Sequence, residues 1–290
     1  MECTELVEHH GYAARSIVRH KGGAVKPAMD HVAEELPVAL VYNGISHAVM
    51  MATPLDLEAF AVGFSLTEGI VSHNAQIHDI DVRVHAHSAE VHLQISEQAF
   101  AAMKARKRAL AGRTGCGVCG IESLELLDLE AAPMRMPATR LQPTPEMIGR
   151  VAAALPSHQR LMCETGGVHA AAWCNAQGEI LHVFEDVGRH NGLDKLIGHL
   201  AMQRLNMDDG FVFLSSRASY ELVRKAARMN IQMLATISAP TSLAIRIAAQ
   251  AGLRLLSFCR KDGYVEYTGA ACEGTCDPQA KGVLEAEAGC

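Results

Sequence analysis

Cys116 and Cys119 stand with two residues between them in Arg113-Thr114-Gly115-Cys116-Gly117-Val118-Cys119-Gly120. Cysteine does nucleophilic or sulfur chemistry as a thiolate, and its ordinary pKa near ~8.5 must usually be lowered for that. Glycines permit φ > 0 and leave backbone N–H groups uncovered. A turn of this kind can aim several donors at a sulfur anion. Lys104, Arg106, Lys107, Arg108 and Arg113 precede the pair with no acidic residue among them. Such a field favours a thiolate, a phosphate or an acidic partner. Three chemistries share the spacing: half of a structural zinc site, a thioredoxin-like dithiol, and a persulfide carrier whose second cysteine assists the first. A thioredoxin-like pair opens a helix directly after a strand. Gly112, Gly115, Gly117 and Gly120 instead predict a mobile loop over about 109–121. The residue pattern leaves the three readings open.

A second set of chemical residues follows short apolar runs in the other half of the chain. Ser215-Ser216-Arg217 offers hydroxyls, a guanidinium and a helix start, which suits phosphate. Ser238-Ala239-Pro240-Thr241-Ser242 is another helix start with hydroxyls, and Cys259-Arg260-Lys261-Asp262-Gly263 is a basic turn. Taken singly, each is ordinary capping or a solvated turn. Ligands of open α/β sheets bind beyond the carboxyl ends of the strands, so several such turns on one edge predict an anionic-ligand site. Glu185, Asp186, Arg189, His190, Asp194 and Lys195 form the densest charged cluster. They are either acid–base and positioning groups or a loop held by internal ion pairs. Val168-His169-Ala170-Ala171 has the histidine of a zinc deaminase but alanine at its glutamate position, and no P-C-x-x-C follows. Deaminase chemistry is therefore not expected.

The flanking sequence predicts the scaffold that holds these residues. One strand lies between Ala13 and Val25. Asn43-Gly44, between the apolar runs 38–42 and 45–51, signals a hairpin. Thr53-Pro54-Leu55-Asp56 has the form of a helix start, with Thr53 as the cap. Residues 78–96 alternate with period two, a second hairpin, whose histidines 78, 85, 87 and 92 are expected to face solvent. Glu97 to Arg108 is a helix, and the prolines in 128–145 mark a linker. The second half alternates strands with helices: a helix from Thr144, a glycine turn at Cys163 to Val168, strands at 170–174, 179–184, 211–214, 231–237, 253–258 and 264–267, and helices between. That rhythm predicts a three-layer α/β sheet. The expected organisation is an N-terminal α+β subdomain over 12–127, an α/β domain over 141–268, and a disordered tail over 269–290. Cys272 and Cys276 in that tail are not expected to complete a zinc site, and no resident metal is expected.

The totals bound the function. The 290 residues are 49% hydrophobic and 20% charged, an ordinary globular composition. A net charge of −6 argues against general nucleic-acid binding. No apolar run approaches the ~20 residues that span a bilayer. Met1-Glu2-Cys3-Thr4-Glu5 has no export-signal character. Nine cysteines are an odd number, and with no export signal they are expected to be reduced, in the cytoplasm.

Five stretches in order resemble the formate dehydrogenase accessory sulfurtransferases, the FdhD family. They are Gly112 to Gly120, Glu164-Thr165-Gly166-Gly167-Val168-His169, Asp186-Val187-Gly188-Arg189-His190-Asn191, Ser215-Ser216-Arg217, and Ser238 to Ser242. The resemblance covers about 13–268. It implies a cytidine-deaminase-like sheet, a homodimer, and a sulfurtransferase working through a cysteine persulfide. By that likeness Cys116 carries sulfur received from a cysteine desulfurase, and Cys119 assists. The sulfur goes to the bis-molybdopterin guanine dinucleotide molybdenum cofactor before that cofactor enters formate dehydrogenase. Phe258, Cys259, Arg260, Lys261, Asp262 and Gly263 match the family's cofactor-binding segment, and Ser215, Ser216 and Arg217 are assigned to the same ligand. The rival readings are a thiol–disulfide oxidoreductase and a non-catalytic cofactor-binding chaperone.

Overall fold

The structure is a computed structural model that describes residues 9–111, 133–135 and 140–269. The CxxC segment with Cys116 and Cys119, most of the proline-rich linker, and the tail with Cys272 and Cys276 lie outside the described residues.

The chain begins with a hairpin. Strands β1 (Tyr12–Lys21) and β2 (Ala24–Ala33) pair antiparallel along their whole length. Gly22 and Gly23 both take positive φ, 58° and 78°, as a tight two-residue turn requires. This corrects the single strand expected there: a Gly-Gly pair between polar runs carries the turn without any apolar alternation to announce it.

A four-stranded sheet follows, in the order β4-β3-β6-β5. Strands β3 (Leu36–Tyr42) and β4 (Ile45–Ala52) turn at Asn43-Gly44, and β5 (Ile77–His85) pairs with β6 (Ser88–Ile95). His78, His85 and His87 are exposed, and His92 bonds Glu90 at 2.8 Å. Helix α1 (Leu57–Thr67) starts after Asp56 rather than at Thr53, and Asp56 makes no capping bond. Thr53 is engaged elsewhere: its hydroxyl accepts from the Val187 amide at 3.2 Å, and its own amide donates to Asp186 at 3.0 Å. Helix α2 (Glu97–Ala111) closes this part of the chain.

The second sheet has six strands in the order β12-β11-β10-β9-β7-β8. They are β7 (His169–Asn175), β8 (Ile180–Asp186), β9 (Gly210–Leu214), β10 (Met233–Thr236), β11 (Arg254–Arg260) and β12 (Gly263–Thr268). Strands β9, β10 and β11 run parallel, while β7, β8 and β12 are antiparallel to their neighbours. Two helices lead in: α3 (Pro145–His158), capped by the Thr144 hydroxyl, and α4 (Arg160–Thr165). The short α4 replaces the bare turn expected at Cys163; Glu185 holds its first amides, accepting from Leu161 at 2.8 Å and Met162 at 2.9 Å. Helices α5 (Arg189–Met202), α6 (Tyr220–Arg228) and α7 (Ser242–Ala251) complete the layer pattern.

Alternation along the strands sends side chains to two cores. Ala170, Ala172, Cys174, Phe211 and Phe213 pack with α3 residues such as Ile148 and Val151. Ala171, Trp173, Val212 and Leu214 pack with α5 and α6, and the same cluster continues through α1 to Val38 and Leu40 of β3. The two sheets therefore share one core, with α1 and α5 between them. Those helices touch backbone to backbone: a Cβ on Gly63 would meet the Asp194 carbonyl, and one on Gly198 would meet that of Ala59.

Candidate functional site

Topology gathers the polar turns on one edge. Parallel β9, β10 and β11 end there, at Leu214, Thr236 and Arg260. Antiparallel β7 starts there with His169, and β8 ends there with Asp186.

Hydrogen bonds fasten these turns together. Ser215 donates its amide to the Ala170 carbonyl at 3.0 Å, and its hydroxyl oxygen accepts from the Ala170 amide at 2.8 Å. Among the described residues the Ser215 hydroxyl donates to no partner, so its proton is available for a ligand. Ser216 is buried, with its hydroxyl donating to the Arg217 carbonyl at 3.1 Å. Arg217 is exposed. Ala218 donates to the Ala239 carbonyl at 3.3 Å and accepts from the Thr241 amide at 3.0 Å, which locks the Ser215 and Ser238 turns side by side. Thr241 caps α7 by accepting from Ala244 at 3.2 Å.

The basic turn after β11 borders a cavity of about 390 Å³, lined by Ala152, Ile237, Cys259, Arg260, Lys261 and Asp262. Arg260 donates to the Ile237 carbonyl at 2.6 Å, fixing the turn against the neighbouring strand end. Gly149 of α3 lies so close that a Cβ there would come within 2.5 Å of the Lys261 carbonyl. Phe258 precedes the turn at φ 53°, inside a register shift of β11 against β12, with 42% of the residue exposed. A bulky residue held in the left-handed region signals stored strain. Cys259 differs from its neighbours: it is buried in the α3-side core, and burial pushes its thiol up to about 12. It supplies wall, not a thiolate. The residues assigned to the cofactor thus fall at two strand ends, β9 and β11, two strand spacings or about 10 Å apart.

The charged cluster divides into scaffold and site. Asp186 and Lys195 are fully buried and paired at 2.7 Å. Asp194 accepts from Thr67 at 2.7 Å and pairs with Lys225 at 2.9 Å, and Lys225 also reaches Glu68 at 2.8 Å. Burial alone would lower the Lys225 ammonium, but the Asp194 and Glu68 carboxylates lift it above its ordinary value. Four of the six residues, Glu185, Asp186, Asp194 and Lys195, are therefore structural. The other two, Arg189 and His190, stand at the edge itself. His190 pairs with Glu221 at 2.8 Å and lies 3.4 Å from the Ser219 hydroxyl. That hydrogen bond holds the Glu221 carboxyl below its ordinary range. His169 is half-buried, and burial, then the positive charges of Arg189 and His190, hold its imidazole below the ordinary range. Sequence alone marks His169 by its likeness to a deaminase motif and as the last residue of the Glu164 to His169 stretch. Its position beside Arg189 comes from the antiparallel β7–β8 hairpin, which the turn Asn175-Ala176-Gln177-Gly178 signals in the sequence and whose register sets His169 opposite Asp186.

Among the described residues no group of three or more His, Cys, Asp or Glu side chains could hold a metal ion. Among them, too, no helix is long and apolar enough to cross a membrane.

Residues 33–272 match the model of the FdhD/NarQ family. The chain is 60% identical over 273 residues to the sulfur carrier protein FdhD of Burkholderia mallei, covering 92% of this chain and 99% of that relative. It is 62% identical over 266 residues to the protein of the same name from Burkholderia cenocepacia, covering 90% and 95%. The fold matches a crystal structure of a candidate formate dehydrogenase accessory protein from Desulfotalea psychrophila. The TM-score is 0.68 at 23% identity, over 90% of this chain and 98% of that one.

Proposed function

The chain belongs to the FdhD/NarQ family, and on that premise we propose that it is a sulfur carrier serving the maturation of a formate dehydrogenase. The observation that carries the reading is a cysteine pair with its own basic flank, in a chain 60% identical to relatives named as sulfur carriers.

The chemistry balances without an outside oxidant. The Cys116 thiolate attacks the terminal sulfur of a cysteine desulfurase persulfide. The donor's S–S bond breaks, its cysteine leaves as a thiolate, and Cys116 holds the persulfide. Attack of the Cys119 thiolate on the Cys116 sulfur then releases hydrosulfide and leaves a Cys116–Cys119 disulfide. The electron pair for the released sulfide comes from Cys119, and a cellular thiol reductant resets the pair.

The client is the bis-molybdopterin guanine dinucleotide molybdenum cofactor, which is cargo here and not a resident group. Its phosphates suit this edge: Arg260 and Lys261 line a cavity of about 390 Å³, Ser215 keeps a proton to donate, and Arg217 is exposed. The remaining partners in the proposal are a cysteine desulfurase as donor, a formate dehydrogenase as recipient, and a second copy of the chain in a homodimer. Thiol chemistry of this kind belongs in the reducing cytoplasm.

The test is intact-protein mass spectrometry after incubation with a cysteine desulfurase and cysteine. A reducible gain of one sulfur mass (~32 Da), absent from Cys116→Ala, is the expected result for a persulfide on a reactive thiolate. Undiminished loading of Cys116→Ala would overturn the assignment.

A further inference from the structure

We propose that Arg189, with His169 and His190 beside it, is a receptor for a phosphate-bearing arm of the ligand, separate from the cavity at Arg260 and Lys261. This rests on reading the strand-end edge as the cofactor site.

Arg189 is the first residue of α5, directly after the turn that ends β8. Its Nε is buried without a hydrogen-bond partner, and among the described residues its guanidinium has no ion pair. The nearby carboxylates are already engaged. Asp186 is held by Lys195 at 2.7 Å, and Glu221 by His190 at 2.8 Å. Withdrawing a guanidinium donor from water without a partner is costly. The fold tolerates that cost at a place where three helix and strand ends converge, so an anion from outside the chain is the missing partner. Phosphate is the anion that a guanidinium fork and adjoining hydroxyls suit. The surroundings agree. His169, whose imidazole burial and positive neighbours hold below its ordinary range, stands beside Arg189 as a further hydrogen-bonding group. The amides that open α5 carry no side-chain cap.

Sheet order separates this receptor from the cavity after β11. Between β11 and β7 lie β10 and β9, and β8 is one strand further. Three to four strand spacings amount to about 15–20 Å. One phosphate group cannot touch both places, whereas a ligand with two phosphate-bearing arms can. The proposed client has two nucleotide arms, and the edge supplies two basic places to receive them.

The test is calorimetric titration of the full chain with GDP and, separately, with inorganic diphosphate. Arg189→Gln is expected to weaken both by about tenfold or more, the usual worth of a charge-assisted contact. Lys261→Gln is expected to weaken GDP only at the turn after β11 and to leave the Arg189 site at its wild-type affinity, and the double variant is expected to lose both binding events, as separate sites do. Loss of diphosphate binding in Arg189→Gln shows that the phosphate itself is read; loss of GDP alone means that the base is, and overturns the receptor. Arg150, exposed and bonded to the Gln177 carbonyl at 2.8 Å, is the control; Arg150→Gln should bind as wild type. If Arg189→Gln does not fold, Arg189→Lys carries the test, since it keeps the charge and loses the fork; it should bind at least threefold more weakly. Equal binding by wild type and the Arg189 variant overturns the receptor alone. A wild-type chain that binds neither probe overturns the receptor and the cofactor reading together, while sulfur loading on Cys116 judges the carrier reading separately.

Discussion

The Asp186 carboxylate lies 2.7 Å from the Lys195 ammonium, with both side chains fully buried. Asp186 also accepts from the amides of Thr53 at 3.0 Å and Gly188 at 2.8 Å, and from Asn191 Nδ2 at 2.9 Å. Lys195 donates to the Thr53 carbonyl at 3.1 Å. One ion pair thus joins the segment after β4, the end of β8 and the start of α5, where Arg189 sits. Removing one partner of a buried pair costs about 3–5 kcal/mol, because the other charge is left uncompensated. Lys195→Met should lose about that much unfolding free energy in urea. The double variant Lys195→Met/Asp186→Leu should recover most of it. Wild-type stability in the single variant would show that water reaches the site and that the clamp is not needed.

Thiol reactivity among the described cysteines should follow burial. Cys163 is exposed, whereas Cys174 and Cys259 are buried. Burial pushes the Cys259 thiol up to about 12 and raises that of Cys174 as well. Native alkylation with iodoacetamide near pH 8, read by peptide mapping, should label Cys163 and spare the other two until the chain is unfolded. Cys259→Ala should load sulfur as wild type does. Rapid native labelling of Cys259 would contradict its place in the core.

Much of this architecture is legible in the sequence because local signals state it. Asn43-Gly44 gives the hairpin, Thr144-Pro145 gives the start of α3, and the second half alternates strand and helix. The failures are also local in origin. Thr53 has the form of a helix cap, but Asp186, far along the chain, claims its amide. Helix α4 exists because Glu185 caps it from β8, which no window around Cys163 reveals. The site divides in the same way. Ser215 to Arg217 and Phe258 to Gly263 can be found as turns after apolar runs, but Cys259 points into the core while its neighbours do not. His169 and Arg189 come together because the β7–β8 hairpin sets His169 opposite Asp186; the turn Asn175 to Gly178 signals the hairpin, but its register is not written in any short pattern.

Acid should weaken the network around α1. Burial raises the Glu68 carboxyl, but Lys225 and Arg224 outweigh it and bring the group below its ordinary range. The unfolded chain therefore binds the proton more readily than the folded one. The contribution is complete above the ordinary glutamate pKa of ~4.3 and is lost as pH falls through the lower folded value. Melting curves between about pH 6 and 3 should show a steeper loss for wild type than for Glu68→Gln. Parallel curves would remove Glu68 from the account.

The approach of α3 to the basic turn should be sensitive to a single methyl group. At Gly149 a Cβ would stand 2.5 Å from the Lys261 carbonyl, so helix or turn must move. Overpacking of this kind costs about 1–3 kcal/mol. Gly149→Ala should melt lower and bind GDP more weakly, with sulfur loading at Cys116 unchanged. Unaltered GDP affinity would place the ligand away from the Arg260–Lys261 turn.

Phe258 separates strain from stability most directly. Its φ of 53° places a bulky residue in the left-handed region, and 42% of the residue is exposed. That conformation costs about 1–2 kcal/mol for an L-residue and almost nothing for glycine. Replacing a core phenylalanine costs about 3–5 kcal/mol, but this residue is only partly buried and relief of the strain offsets part of the loss. Phe258→Gly should therefore cost clearly less in urea unfolding than replacement of a core phenylalanine does. If the ring is kept exposed as a stacking surface for a purine, the same variant should bind GDP several-fold more weakly while inorganic diphosphate binding stays unchanged. A marked loss of stability would mean that the side chain holds the β11 bulge together. Equal loss for GDP and diphosphate would mean that it shapes the turn and does not touch the base.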